Sequence, residues 1–140
     1  MQPTTLLFLI ELIIAFPLAA FALMGIFLVL GFKPAERFIG WLLRIAIFLS
    51  MLALAPLLHH FWIRGFKSQL IEAAPFFALP TYRFHFGFII DIPSITMAAL
   101  TLILAGIVAR FAHLYLHLEA GFNRFFALFS LFTGSTLLTI

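Results

Sequence analysis

Glu11 is the only acid lying inside an apolar run of this chain, with Leu9-Ile10 before it and Leu12-Ile13-Ile14 after it. A carboxylate in lipid-soluble sequence is costly to keep, so proton transfer is the first chemistry to consider for it. The competing reading is that Glu11, about two turns into its helix, reaches interfacial water. His113 and His117 are four residues apart, the spacing at which two imidazoles share one helix face, and Glu119 is close by. Such a pair could hold a metal or move protons at a surface, but spacing fixes no third ligand. Glu11, His113 and His117 are therefore the proton-handling candidates, and no metal, cofactor or catalytic residue is expected.

Other polar residues have structural readings. Arg44, about two turns into an apolar stretch, can extend its guanidinium back to the surface. His59 and His60 are adjacent, point in different directions, and with Trp62 suit an interfacial belt. Asp91, just before Pro93 and Ser94, suits the cap of a helix, where negative charge favours the helix dipole.

These residues are positioned by sequence that is 65% hydrophobic and only 9% charged, with a mean hydropathy of +1.23. A soluble domain would carry about a quarter of its residues charged. Four apolar stretches predict helices over about 4–31, 38–60, 93–117 and 122–140, joined as a single transmembrane domain of residues 1–140. The residues before the first stretch lack Lys and Arg, and the stretch is too long for a signal-peptide core, so a retained helix is expected. Pro17 and Pro56 should kink the first and second helices, and Gly31 with Pro34 marks a tight turn between them.

The connection over about 61–91 alternates aromatic with polar or small residues from Tyr82 to Phe88, predicting a strand or hairpin on the membrane surface. Pro75 and Pro80 interrupt the segment before it. Ala98, Ala105, Ala109 and Ala112 place small residues along the third helix, as Ser130 and Gly134 do on the fourth, for close packing of neighbours.

Orientation follows from Lys and Arg. Lys33, Arg37, Arg44, Arg110 and Arg124 flank the first and third connections, against Arg64, Lys67 and Arg83 on the second. This puts the first and third connections in the cytoplasm and both termini outside. The chain also stops in apolar sequence at Ile140, as a split or truncated subunit would.

The absence of cysteine excludes disulfides, thiolate zinc sites and iron–sulfur ligation. No phosphate loop, HExxH pattern or Ser-His-Asp arrangement is present, and the scattered basic residues mark topology and not a nucleic-acid footprint.

Three motifs carry a family resemblance over roughly the last two-fifths of the chain. Phe88-Ile89-Ile90-Asp91-Ile92-Pro93-Ser94-Ile95-Thr96-Met97 resembles the Asp-Pro-Leu-Ser start of the third helix in antiporter-like subunits of respiratory complex I, chain 5 (L-type) branch. Gly121-Phe122-Asn123-Arg124-Phe125-Phe126 resembles their Arg-Phe-Phe entry to the fourth helix. His113-Leu114-Tyr115-Leu116-His117 stands where the family has a Tyr-Ser exit, and Ile92 separates Asp91 from Pro93; both are departures.

The resemblance implies an all-α membrane protein of about four transmembrane helices, with a short strand or hairpin between helices 2 and 3. It also implies a subunit, or the N-terminal part of one, in a complex I-like proton- or cation-translocating assembly, embedded in a bacterial or organellar inner membrane beside other membrane subunits. If the chain is a subunit of a translocase, of the NADH:quinone oxidoreductase kind, catalysis lies in its partners. The family's ion path uses a Glu on the fifth helix and Lys on later ones, which no position here matches. Asp91, Pro93 and Arg124 carry over only as structural framework. Two other readings remain open at this point: the membrane partner of a proton-coupled CO₂ or bicarbonate accumulation complex, and a small membrane anchor or assembly subunit without transport activity.

Overall fold

The computed structural model describes residues 3–32, 34–64, 69–78, 83–119 and 121–140, with side chains left aside at 3, 64 and 69–87. Lys33, Lys67, Pro80 and Tyr82, used above, lie outside the described residues. The element order is α1 (Pro3–Val29), α2 (Glu36–Arg64), β1 (Gln69–Ala78), β2 (Arg83–Ile90), α3 (Ile92–Tyr115) and α4 (Phe122–Thr139). Four helices with strands between the second and third is the architecture read from the sequence.

Three of these helices, α1, α2 and α3, are long and apolar enough to cross a membrane. The fourth is shorter, 18 residues or about 27 Å, and carries Asn123 and Arg124 in its first turn. It is held chiefly by α1, while α2 packs against α1 on one side and α3 on the other.

The strands form an antiparallel hairpin, running from Gln69 opposite Ile90 to Ala78 opposite Arg83. Pro75 lies inside β1 and does not end it; the register slips on both sides of it, as a two-stranded edge permits. The hairpin feeds directly into α3 through Asp91.

Local sequence explains the helix ends. Gly31 adopts φ +71°, the left-handed conformation that glycine takes without penalty, and closes α1. Asp91 is extended (φ −135°), and its carboxylate accepts a 2.9 Å hydrogen bond from the Ser94 amide at the start of α3. Pro34 falls two residues before α2, outside its first turn, and the Ala35 carbonyl takes the amides of Phe38 and Ile39.

The interior is apolar, built on Leu43, Leu102, Ile39, Met24 and Phe126, and its buried polar side chains among the described residues are Ser50, Ser130 and Thr133. Ser50 serves a carbonyl that proline frees, and Ser130 ties α4 to the same stretch of α1. Proline has no N–H, so Pro17 leaves the Ile13 carbonyl, four residues back, without its helical donor. Ser50 of α2 donates to that carbonyl at 3.0 Å, and Ser130 of α4 donates to the Pro17 carbonyl at 2.7 Å. One turn on, Gly134 lets α4 close on Leu18: a Cβ there would sit 2.7 Å from Leu18 Cδ2. The other hydroxyls of α4 bond back to their own helix, Thr133 to Phe129, Ser135 and Thr136 to Phe132, and Thr139 to Ser135. In lipid no water stands in for a missing partner, so this internal satisfaction is required.

Candidate functional site

The polar side chains gather at the end of the bundle where α2 begins and α3 ends. Glu36 lies opposite His117, Gly40 touches His113, and Ile47 lies against Gly106. Each step along α2 is matched by an equal step back along α3, so the two helices run antiparallel in one fixed register.

Glu36 organises the outer layer. Its Oε2 is 2.7 Å from His117 Nδ1, and its Oε1 accepts the Leu118 amide at 3.1 Å. Leu118 has φ +69°, a left-handed backbone that costs a leucine on the order of 1 kcal/mol. The carboxylate holding its amide stabilises that turn. His117 is mostly exposed, so the ion pair itself adds little. Glu36 also stands in the first turn of α2, where negative charge favours the dipole.

His113 forms the inner layer. The missing side chain of Gly40 makes room for its ring: a Cβ at Gly40 would be 2.5 Å from His113 Nδ1 and 2.8 Å from Cε1. The ring meets Phe122 and Phe126 of α4 edge-on, at centroid distances of 5.6 and 6.3 Å. Its Nδ1 is buried with no hydrogen-bond partner among the described residues. His113 is thus a wedge joining α2, α3 and α4 that keeps one unused proton site. Arg44, one turn past Gly40, folds back so that its Nε donates to the Gly40 carbonyl at 2.9 Å.

The sequence-predicted residues are not all brought together. α3 ends at Tyr115, so His113 belongs to its last turn while His117 lies beyond it. One imidazole faces Gly40 and the other Glu36. Among the described residues no group of three His, Asp or Glu is placed to hold a metal. Glu11 is exposed on the outer side of α1. The Ile13–Ser50 bond fixes its level, about 20 Å along the bundle from Glu36. Asp91 lies toward that far end too, where its cap bond to Ser94 holds the carboxyl below its usual pKa range. Arg124 is exposed in the first turn of α4.

A cavity of about 410 Å³ opens near Asp91, lined by Ile10, Ile14, Leu54, Leu57, Ile95 and Leu137 among others. Asp91 is the one acidic side chain in that lining, and its Oδ1 is engaged with the backbone of α3. The cavity can accept apolar matter and offers no relay for an ion.

Glu36, Gly40 and Ser50 were not singled out from sequence as partners. A signal existed for Ser50: a proline inside a membrane helix frees a known carbonyl, and a serine in a neighbouring apolar run is the nearest donor type. Glu36 and Gly40 carried no such signal, because their roles depend on which helix lies opposite.

Residues 76–126 match the family described as NADH-Ubiquinone oxidoreductase (complex I), chain 5 N-terminus. The match covers the end of the hairpin, all of α3 and the first turn of α4. No curated protein matches the chain. The match bears out the resemblance to the N-terminal portion of antiporter-like complex I subunits. Three of its helices are long and apolar enough to cross a membrane, which supports an integral, multi-pass membrane protein, and residues 76–126 are similar to a segment of complex I membrane subunits.

Proposed function

We propose, taking the chain 5 N-terminal segment at residues 76–126 as premise, that this protein scaffolds the helix bundle beside an ion path and does not itself conduct. The observation that carries this reading is the separation of its titratable groups. Glu11 lies at one level of α1 and the Glu36–His117–His113 cluster about 20 Å away, with only Ser50, Ser130 and Thr133 as buried polar side chains among the described residues. Two of those hydroxyls are committed to carbonyls around Pro17 and the third to its own helix. A proton crossing this chain alone would have no acceptor through the middle of the bundle.

His117 at the surface, with His113 packed beneath it, then serves as a local proton reservoir at the α2–α3 end, and Asp91, Pro93 and Arg124 serve to start α3 and α4. The cytoplasm is the side assigned to that end by its arginines. The companions are other membrane subunits that supply the titratable residues of the path.

The test is reconstitution. The purified chain in sealed vesicles should leave an imposed pH difference intact, and mild-detergent purification from its host should bring companion membrane subunits with it. Rapid dissipation by the chain alone, abolished in E11Q, would overturn the reading. Companions that include a CO₂- or bicarbonate-handling protein would assign the coupled reaction to carbon accumulation, and absence of any translocating companion would leave an anchor.

A further inference from the structure

Arg44 and Arg110 sit at one level of the α2–α3 pair. The register that sets Gly40 against His113 and Ile47 against Gly106 places Arg44 opposite Ala109, next to Arg110. At about 100° per residue, Arg44 is rotated about 40° from Gly40 and Arg110 about 60° from His113, both to the outer flank of the seam. The inner flank is marked by Ser50, which reaches α1, and by the buried Ala105. Both arginines are exposed.

Neither has an acidic partner among the described residues, where the one ion pair is His117–Glu36. Of the five acids, Glu11, Glu72 and Asp91 belong to the opposite half of the bundle or its hairpin. Glu36 is engaged by His117 and Leu118, and Glu119 lies beyond the end of α3. Two arginines at one level and on one flank of the α2–α3 pair concentrate positive charge there, which attracts an anion. Arg44 is turned toward the start of α2 by its bond to Gly40, the direction in which a long basic side chain reaches a membrane surface. Below it the groove is apolar and shallow, floored by Gly106 and edged by Phe48, Met51 and Ile103, all three exposed.

We propose that this outer groove between α2 and α3 binds an anionic phospholipid, its phosphate between Arg44 and Arg110 and an acyl chain along Gly106. Paired positive charges beside exposed apolar side chains on one flank favour a lipid over a soluble anion. The site is a property of this chain and does not depend on which complex it joins.

The test uses the whole chain in nanodiscs of phosphatidylcholine doped with phosphatidylglycerol, with bound lipid read by native mass spectrometry. Wild type should retain phosphatidylglycerol in preference to phosphatidylcholine. At about 1 kcal/mol for each basic residue, the R44Q/R110Q double variant should lose roughly 30-fold in that preference. R44K/R110K, which keeps both charges, should largely retain it, as should R124Q on α4. G106L should weaken binding with both arginines in place. An unchanged preference in R44Q/R110Q, or displacement of the lipid by inorganic phosphate, would overturn the proposal.

Discussion

Replacing Ser50 by alanine removes the donor that serves the Ile13 carbonyl, and the cost follows from the geometry. The bond is 3.0 Å long, buried, and joins α2 to α1 at the point where Pro17 has broken the helical ladder. Hydrogen bonds between membrane helices contribute about 0.6 kcal/mol on average and up to about 1.7 kcal/mol. Measured as the cost of leaving a buried acceptor without any donor, the loss is about 1–3 kcal/mol, bond included. S50A should therefore destabilise the bundle by about 1–2 kcal/mol, a factor of roughly 5–30 in its folding equilibrium. The informative measurement is a double-mutant cycle with P17A, read by unfolding in mixed micelles. Alanine at position 17 restores an N–H to the Ile13 carbonyl, so Ser50 becomes dispensable there. In the P17A background the cost of S50A should fall to about 0.5 kcal/mol or less, giving a coupling of about 1 kcal/mol. Equal costs of S50A in both backgrounds would refute the account of why the two residues meet.

Two further perturbations probe the α2–α3 end and the start of α3. G40A puts a methyl group into the His113 ring and should destabilise by about 1–3 kcal/mol, with H113A suppressing much of that loss, as unfolding midpoints of the single and double variants would show. Asp91 has a folded-state pKa below its ordinary value because Ser94, by its side chain first and its amide second, hydrogen-bonds the ionised form. Its contribution is therefore complete above the ordinary carboxylate range and disappears as pH falls through the lowered value, so the loss of thermal stability on acidification should be smaller in D91N, whose side chain caps without titrating.

The positions of the helices were readable because lipid imposes a simple rule: about twenty apolar residues make a span, and few charges are tolerated within it. Local turn, capping and period-two signals marked the break at Gly31, the capping role of Asp91 and the alternation that predicts β2. Residue spacing could not say that His113 would meet Gly40 and His117 would meet Glu36, because it does not name the helix that lies opposite. α3 stops at Tyr115, and beyond that point the 3.6-residue period no longer says which way a side chain faces.

Glu11 shows the division most clearly. Its sequence setting marks it as an intramembrane carboxylate, and only the packing of α1 against α2 and α4 turns it to the outer surface of the bundle, away from the histidines. In the same way Pro17, Ser50 and Ser130 stand far apart along the chain, and nothing local says that they meet. Composition and periodicity are local properties, and they determined that this protein lives in a membrane and where its helices begin. Which carbonyl meets which hydroxyl, and which glycine admits which ring, depends on the register between helices. That register is set by contacts between residues tens of positions apart, so only the folded bundle decided it.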